Sequence, residues 1–197
     1  MFNRERVKAK KSFEDTVASY TKPNLGQRHA DLDAGFKADP AAAMVLDEAV
    51  TSSIHVPGRV HAYGQVTPGH YGLPPINMGA HDKVGGELDF PNPGELLCAA
   101  IASCFDSTVR FVSCRLGIEL ISLTVHVKGN VDVRGTLRQA DAPVAFQDFT
   151  LDVAIDAGPG VPKSTVQAIL NAAEQSCVVM QTIRHSPAIT ITHDIAS

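Results

Sequence analysis

Hydrophobic and polar positions change their period several times along the chain, and each change marks an element. Leu123, Val125 and Val127 alternate with Thr124, His126 and Lys128, so Glu119–Leu137 is predicted as a strand with one buried face. Phe149, Leu151, Val153 and Ile155 keep the same alternation, which predicts a second strand over Phe146–Ile155. Helical spacing takes over at Val166, Ile169, Leu170 and Ala173, the mark of an amphipathic helix over Pro162–Ser176. A further helix begins near Cys177 and stops before Pro187, and Ala188–His193 reads as a closing strand. Upstream, the strand-like runs Val50–His55 and Arg59–Gln65 flank Val56-Pro57-Gly58, the pattern of a hairpin around a Pro-Gly turn.

One helix start is explicit. Asn92-Pro93-Gly94-Glu95 offers an N-cap side chain, a proline at the first helical position and a carboxylate at the third, which is a capping-box arrangement. The helix is predicted to run to Leu116 and to end at Gly117. From Leu96 to Ala102 it is apolar almost all round, so it must be buried on most sides. Before it, residues 67–93 are rich in glycine and proline and read as a long loop with room for a short strand. Within that loop Gly85-Gly86 turns the chain back toward the helix. Residues 1–20 are expected to form a short helix, and residues 21–43, with Pro23, Gly26, Gly35 and Pro40, a draping extension. A second short helix is expected from about Pro40 to Glu48. These elements divide the chain into a partly helical extension, residues 1–48, and a domain over residues 49–197. Their order predicts an α+β fold, with antiparallel sheets packed around a long central helix.

Length and composition narrow the function classes. The chain has 197 residues, enough for one domain with a sizeable core. At 44% hydrophobic and 19% charged, the composition is that of an ordinary globular protein. With a formal net charge of −4, nothing overall argues for nucleic acid or acidic lipid, and neither nucleic acid nor membrane is expected as a partner. The basic run Met1–Lys11 is short enough to be a solvated terminal face. The most apolar segment, Leu96–Phe105, is too short for a membrane span and stops at Asp106. The N-terminal residues lack the apolar stretch of a secretory signal, so a cytoplasmic location is expected. In that compartment Cys98, Cys104, Cys114 and Cys177 are expected to be reduced, catalytic or buried rather than a disulfide framework. They show no Cys-x-x-Cys pair and no accompanying histidine spacing, which disfavours zinc. His55 and His61 beside the predicted turn read as surface polar residues.

The stretch Asn92-Pro93-Gly94-Glu95-Leu96-Leu97 continues through small residues to Ala102-Ser103-Cys104-Phe105. It resembles the signature of the OsmC/Ohr-like family of small thiol-dependent proteins, the osmotically inducible and organic hydroperoxide resistance proteins. Ala173-Glu174-Gln175-Ser176-Cys177 resembles the family's second cysteine site, and Gly117-Ile118-Glu119-Leu120 with Asp132-Val133-Arg134-Gly135 follows its intervening strands. The resemblance covers roughly residues 49–195. It implies an intertwined homodimer with active sites at the subunit interface, antioxidant chemistry in a stress response, and no cofactor or metal. It implies further that Cys104 is the cysteine attacked by hydroperoxide, that Cys177 resolves it, and that an external dithiol, with lipoyl proteins among the candidates, restores both.

The residues themselves bear on that implication. Cys98 lies six helical positions from Cys104, about 9 Å along the axis, beyond disulfide reach, and Cys114 is farther still. A buried helical thiol needs a cation to hold its thiolate. In the family's peroxidases an arginine does this, oriented by a glutamate ten positions before the cysteine, but Gly94 stands there in this chain. Glu95, nine before, falls about 180° away on an ideal helix and reads as a capping carboxylate. Arg59 after the Pro-Gly turn resembles the family's arginine, with His81 and Lys83 as weaker candidates for the cation. Asp106 points away from Cys104 and is expected to pair with Arg110, four positions on. Besides the peroxidase, a binding protein for a small apolar or electrophilic ligand with little peroxidase activity, and a structural dimer with buried thiols, stay open on these residues.

Overall fold

The structure is a computed structural model that describes residues 25–53, 63–69 and 72–195. The helix expected over residues 1–20, the Pro-Gly turn, and residues Arg59, His55 and His61 lie outside the described residues. The chain divides into two compact units, Met1–Leu97 with Gly129–Phe149, and Cys98–Lys128 with Thr150–Ser197.

The first unit opens on α1, Leu25–Ala38, where the sequence suggested only a draping extension. No residue of α1 is buried, so no hydrophobic stripe announces it. It is held instead by pairs at helical spacing, Gln27 Nε2 to Asp31 and Lys37 Nζ to Asp33 at 2.8 Å. The second short helix shrinks to a 3₁₀ turn, Pro40–Ala43, where the Asp39 carboxylate accepts from the Ala41 amide. Beyond it Met44, Val45 and Leu46 are exposed.

β1 (Ala49–Ser53), β2 (Gly64–Pro68) and β3 (Ile76–Met78) form an antiparallel sheet in the order β1-β2-β3. The register runs from Ala49 opposite Pro68 to Ser53 opposite Gly64; β2 overlaps the strand expected over Arg59–Gln65 only at Gly64 and Gln65 and continues to Pro68. Gly85 closes a 3₁₀ turn over Asp82–Val84 in the left-handed conformation, with φ 88°. Gly86 follows against the Ala80 backbone, where any side chain would collide.

α2 spans Pro93–Arg115 and starts as its capping box requires. Asn92 Oδ1 accepts from the Gly94 and Glu95 amides, and Glu95 Oε2 accepts from the Asn92 amide at 2.9 Å. It ends where Gly117 turns left-handed, with the Ile118 amide reaching back to the Ser113 carbonyl at 2.9 Å. By length and composition its 23 residues are enough to cross a membrane, longer than the apolar segment judged from sequence. Yet it carries Ile101, Phe105 and Val109 into the protein interior, as a core helix does.

β4 (Ser122–Val131) and β5 (Phe146–Asp156) form a two-stranded sheet. Lys128 meets Asp152 and Asn130 meets Asp148, so the strands run antiparallel with a polar outer face. β4 stops six residues short of the expected Leu137. Asp132 caps the Arg134 amide and starts the helical turn α3, Val133–Thr136. Gly135 is pressed against the Ala142 and Pro143 carbonyls in that turn, a fit that needs glycine.

The second unit is completed by α4, Lys163–Ser176, and α5, Val178–Arg184, both close to their expected bounds. Its core is Phe105 and Val109 of α2, Ile169 and Ala173 of α4, and Cys177 between the helices. The inner face of the hairpin, including Leu123, Val125, Leu151 and Val153, packs on it. Each fully buried aliphatic side chain there contributes about 1.5–3 kcal/mol relative to exposure. The closing strand expected at Ala188–His193 does not form, and Ile189 and Ile191 stand 86% and 81% exposed. Alternation alone makes no strand: the segment finds no hydrogen-bonding neighbour among the described residues.

A candidate thiol site

Cys104 and Cys177 arrive from elements that the sequence places far apart. Cys104 rides on α2, one position before Phe105, which is buried in the core. Its carbonyl accepts from the Thr108 hydroxyl at 2.8 Å, within the same helix. Cys177 sits at the corner where α4 ends and α5 begins, with extended backbone at φ −71° and ψ 103°. Its own amide donates to the Ala173 carbonyl at 2.9 Å, and its carbonyl accepts from the Gln181 amide at 2.9 Å.

This corner turns the Cys177 thiol inward. The residue is fully buried, whereas Cys104 is half-buried at the edge of the same cluster. The Cys104 side chain packs against the cluster that holds Cys177, near enough for the two thiols to interact. No disulfide joins Cys104 to Cys177 in this structure.

Burial pushes the Cys177 thiol above its ordinary pKa, because the core does not solvate a thiolate. The Met180 amide opposes this by donating toward the sulfur, the Cys104 thiol adds to the rise, and the Val179 amide lowers it. Both amides belong to the first turn of α5, whose unpaired N–H groups point back at the residue before it. Sequence reasoning named the cysteine but not these backbone donors, since any residue type supplies them.

Other residues singled out in the sequence have partners of their own. Glu95 is engaged in its capping box, as its position nine before Cys104 suggested. Asp106 holds Arg110 through Nε at 2.7 Å and Nη2 at 3.2 Å, and this pairing raises the Arg110 pKa. His81 Nδ1 lies 2.6 Å from Asp82 on their 3₁₀ turn, and Lys83 Nζ lies 3.6 Å from the same carboxylate. The groups that act on the Cys177 thiol among the described residues are therefore burial, two amides and a second thiol. Gly94 has Phe146 Cζ 3.0 Å from where a side chain would begin, so an aromatic ring occupies the space beside this position.

A buried thiol beside a more accessible one is suited to disulfide chemistry. If the accessible sulfur is oxidised to a sulfenic acid, the buried one is placed to condense with it.

Comparison with known proteins bears on the family and the fold. The model of the OsmC-like protein family matches residues 85–192, which include both cysteines. No curated protein matches the chain. Among solved structures, an OsmC-like protein from Vibrio cholerae aligns with a TM-score of 0.58 at 12% identity, covering 71% of this chain and 94% of that one. An OsmC-like protein from Mycoplasma pneumoniae gives 0.56 at 12% identity, covering 72% and 89%. An organic hydroperoxide resistance protein from Legionella pneumophila gives 0.50 at 23% identity, covering 72% and 91%.

Proposed function

The chain belongs to the OsmC-like protein family, and from that premise we propose that it is a thiol-dependent peroxidase reducing organic hydroperoxides through Cys104 and Cys177. The observation that carries the reading is that Cys104 packs against the core cluster that holds Cys177, so that the two thiols lie within interaction range. The family match and the fold shared with the Legionella pneumophila organic hydroperoxide resistance protein support it.

The Cys104 thiolate attacks the distal peroxide oxygen, the O–O bond breaks, and the alkoxide leaves and takes a proton to become the alcohol. Cys104 is then a sulfenic acid. Attack by Cys177 forms the S–S bond and releases the sulfenic oxygen as water. An external dithiol returns two electrons and two protons and restores both thiols. In this scheme the half-buried sulfur meets the peroxide and the buried one resolves it. Arg59, by its likeness to the family's arginine, is the cation assigned to the Cys104 thiolate.

The active form is a homodimer. Ala99, Ala100 and Ser103 leave one face of an otherwise apolar α2 exposed, and Ile189 and Ile191 are exposed near the C-terminus. A second copy covering these surfaces accounts for both. Light scattering on the purified protein checks this, and a monomer at micromolar concentration would refute it.

The reading is tested by adding one equivalent of an organic hydroperoxide and mapping thiols by mass spectrometry. Rapid loss of two thiols to a Cys104–Cys177 disulfide is the expected result. Cys104→Ser abolishes peroxide consumption, and Cys177→Ser leaves a trappable sulfenic acid. Thiols unreacted after minutes, or full turnover by Cys104→Ser, would overturn it.

A further inference from the structure

The corner at Cys177 interrupts the helical hydrogen bonding, which leaves the last carbonyls of α4 in need of partners. The Ala173 carbonyl takes the Cys177 amide. The next carbonyl, that of Glu174, accepts from a side chain on the far side of the corner, Gln181 Nε2 at 2.9 Å. Gln181 is anchored to the corner as well, through its amide on the Cys177 carbonyl. The Glu174 carboxylate makes a second tie, accepting from Arg184 Nη2 at 2.7 Å. Gln181 and Arg184 are three positions apart and share one face of α5. Both ties therefore join the last turn of α4 to one side of α5, with Cys177 between them.

We infer that Glu174, Gln181 and Arg184 form a brace that holds the Cys177 thiol against Cys104, and that they are positioning residues for making and breaking the bond between these two sulfurs. Cys177 is the one extended residue between two helices, so α5 can pivot there. A pivot moves the sulfur and the Val179 and Met180 amides aimed at it. The ties lie at the exposed rim, while Ile169 and Ala173 hold α4 in the core independently. Loss of a tie is thus expected to loosen the thiol geometry more than the fold.

The inference rests on the thiol-pair reading of the site but not on what oxidises it. The full-length protein is equilibrated with mixtures of glutathione and glutathione disulfide, and the Cys104–Cys177 disulfide is quantified by mass spectrometry. In that exchange the two protein thiols pass two electrons to glutathione disulfide, giving the protein disulfide and two molecules of glutathione. Gln181→Met and Arg184→Ala are each expected to lower the equilibrium constant by about three- to tenfold. Arg184→Lys, still able to reach Glu174, should recover most of the loss. Equilibria within about twofold of wild type in both single variants and the double variant, inside the scatter of additive effects, would overturn the brace. So would equal losses in Arg184→Lys and Arg184→Ala, or a wild-type protein that forms no such disulfide. Organic peroxide consumption is read separately. Thiols that equilibrate with glutathione but ignore the peroxide would remove the peroxidase reading and leave the brace standing. Unaltered equilibria in the variants of a peroxide-active protein would do the reverse.

Discussion

Cys104 packs against the core cluster that holds Cys177, a residue 177 − 104 = 73 positions further along the sequence. One sulfur is half-buried on a long helix and the other is fully buried at a corner between two helices. In the proposed peroxidase the first takes the accessible role and the second the resolving role.

Burial raises the Cys177 pKa in the folded state above that of the unfolded chain. A thiol whose pKa is raised on folding favours the protonated native state. Its contribution is complete below the unfolded thiol pKa, about 8.5, and is lost as pH rises through the higher folded value. Denaturation midpoints of wild type and Cys177→Ala, compared from neutral to alkaline pH, are expected to converge as the wild type loses this advantage. A pH-independent difference would show that the thiol is not held protonated. In the native protein, alkylation of Cys104 should precede that of Cys177.

The capping box accounts for Glu95 without any catalytic role. Asn92→Ala is expected to cost about 1 kcal/mol in chemical denaturation, since it strips the acceptor from two amides. Glu95→Gln keeps an oxygen for the Asn92 amide, so stability and peroxide-driven thiol loss should both stay near wild type. A large drop in thiol oxidation for Glu95→Gln would return this carboxylate to the active site.

Two glycines pack against the stacked rings of Phe146 and Phe149. At Gly129 a methyl group would stand 2.7 Å from Phe149 and 2.8 Å from Phe146, so the rings must move. Gly129→Ala is expected to destabilise the protein by about 1–3 kcal/mol. At Gly94 the tightest approaches are 3.0 Å, to Asn92 Oδ1 and to the tip of the Phe146 ring. Gly94→Ala should therefore cost less than Gly129→Ala. Thermal unfolding of the two variants ranks them directly, and the opposite order would refute the packing argument.

Ile169 is wholly buried beside Cys177 in the core. Ile169→Ala should cost about 2–5 kcal/mol, and Ile169→Val about 0.5–1.5 kcal/mol. Urea denaturation measures both. Values near zero would mean that this cluster is not the main core of the second unit.

Much of the secondary structure was legible without coordinates, because its causes are local. The capping box at Asn92, the period-two runs of β4 and β5, and the apolar spacing of Ile169 and Ala173 each state their conformation within a few residues. The family resemblance was legible too, since it rests on the segments around Cys104 and Cys177. Misreadings came where no local signal existed or where a signal needed a partner. α1 has no buried face, so nothing in its hydrophobic pattern revealed it. Ala188–His193 alternates correctly but lacks a neighbouring strand among the described residues. β4 was overextended because Asp132, read as part of a strand, turns its carboxylate onto the Arg134 amide and starts a helical turn. What tertiary structure alone decided is which of the two sulfurs is buried, that Cys104 packs on the cluster holding Cys177, and that Gln181 and Arg184 reach Glu174 across the corner. Those facts depend on distances between elements set by the packing of Phe105, Val109, Ile169 and Ala173, and packing is a property of the folded chain rather than of any segment of it.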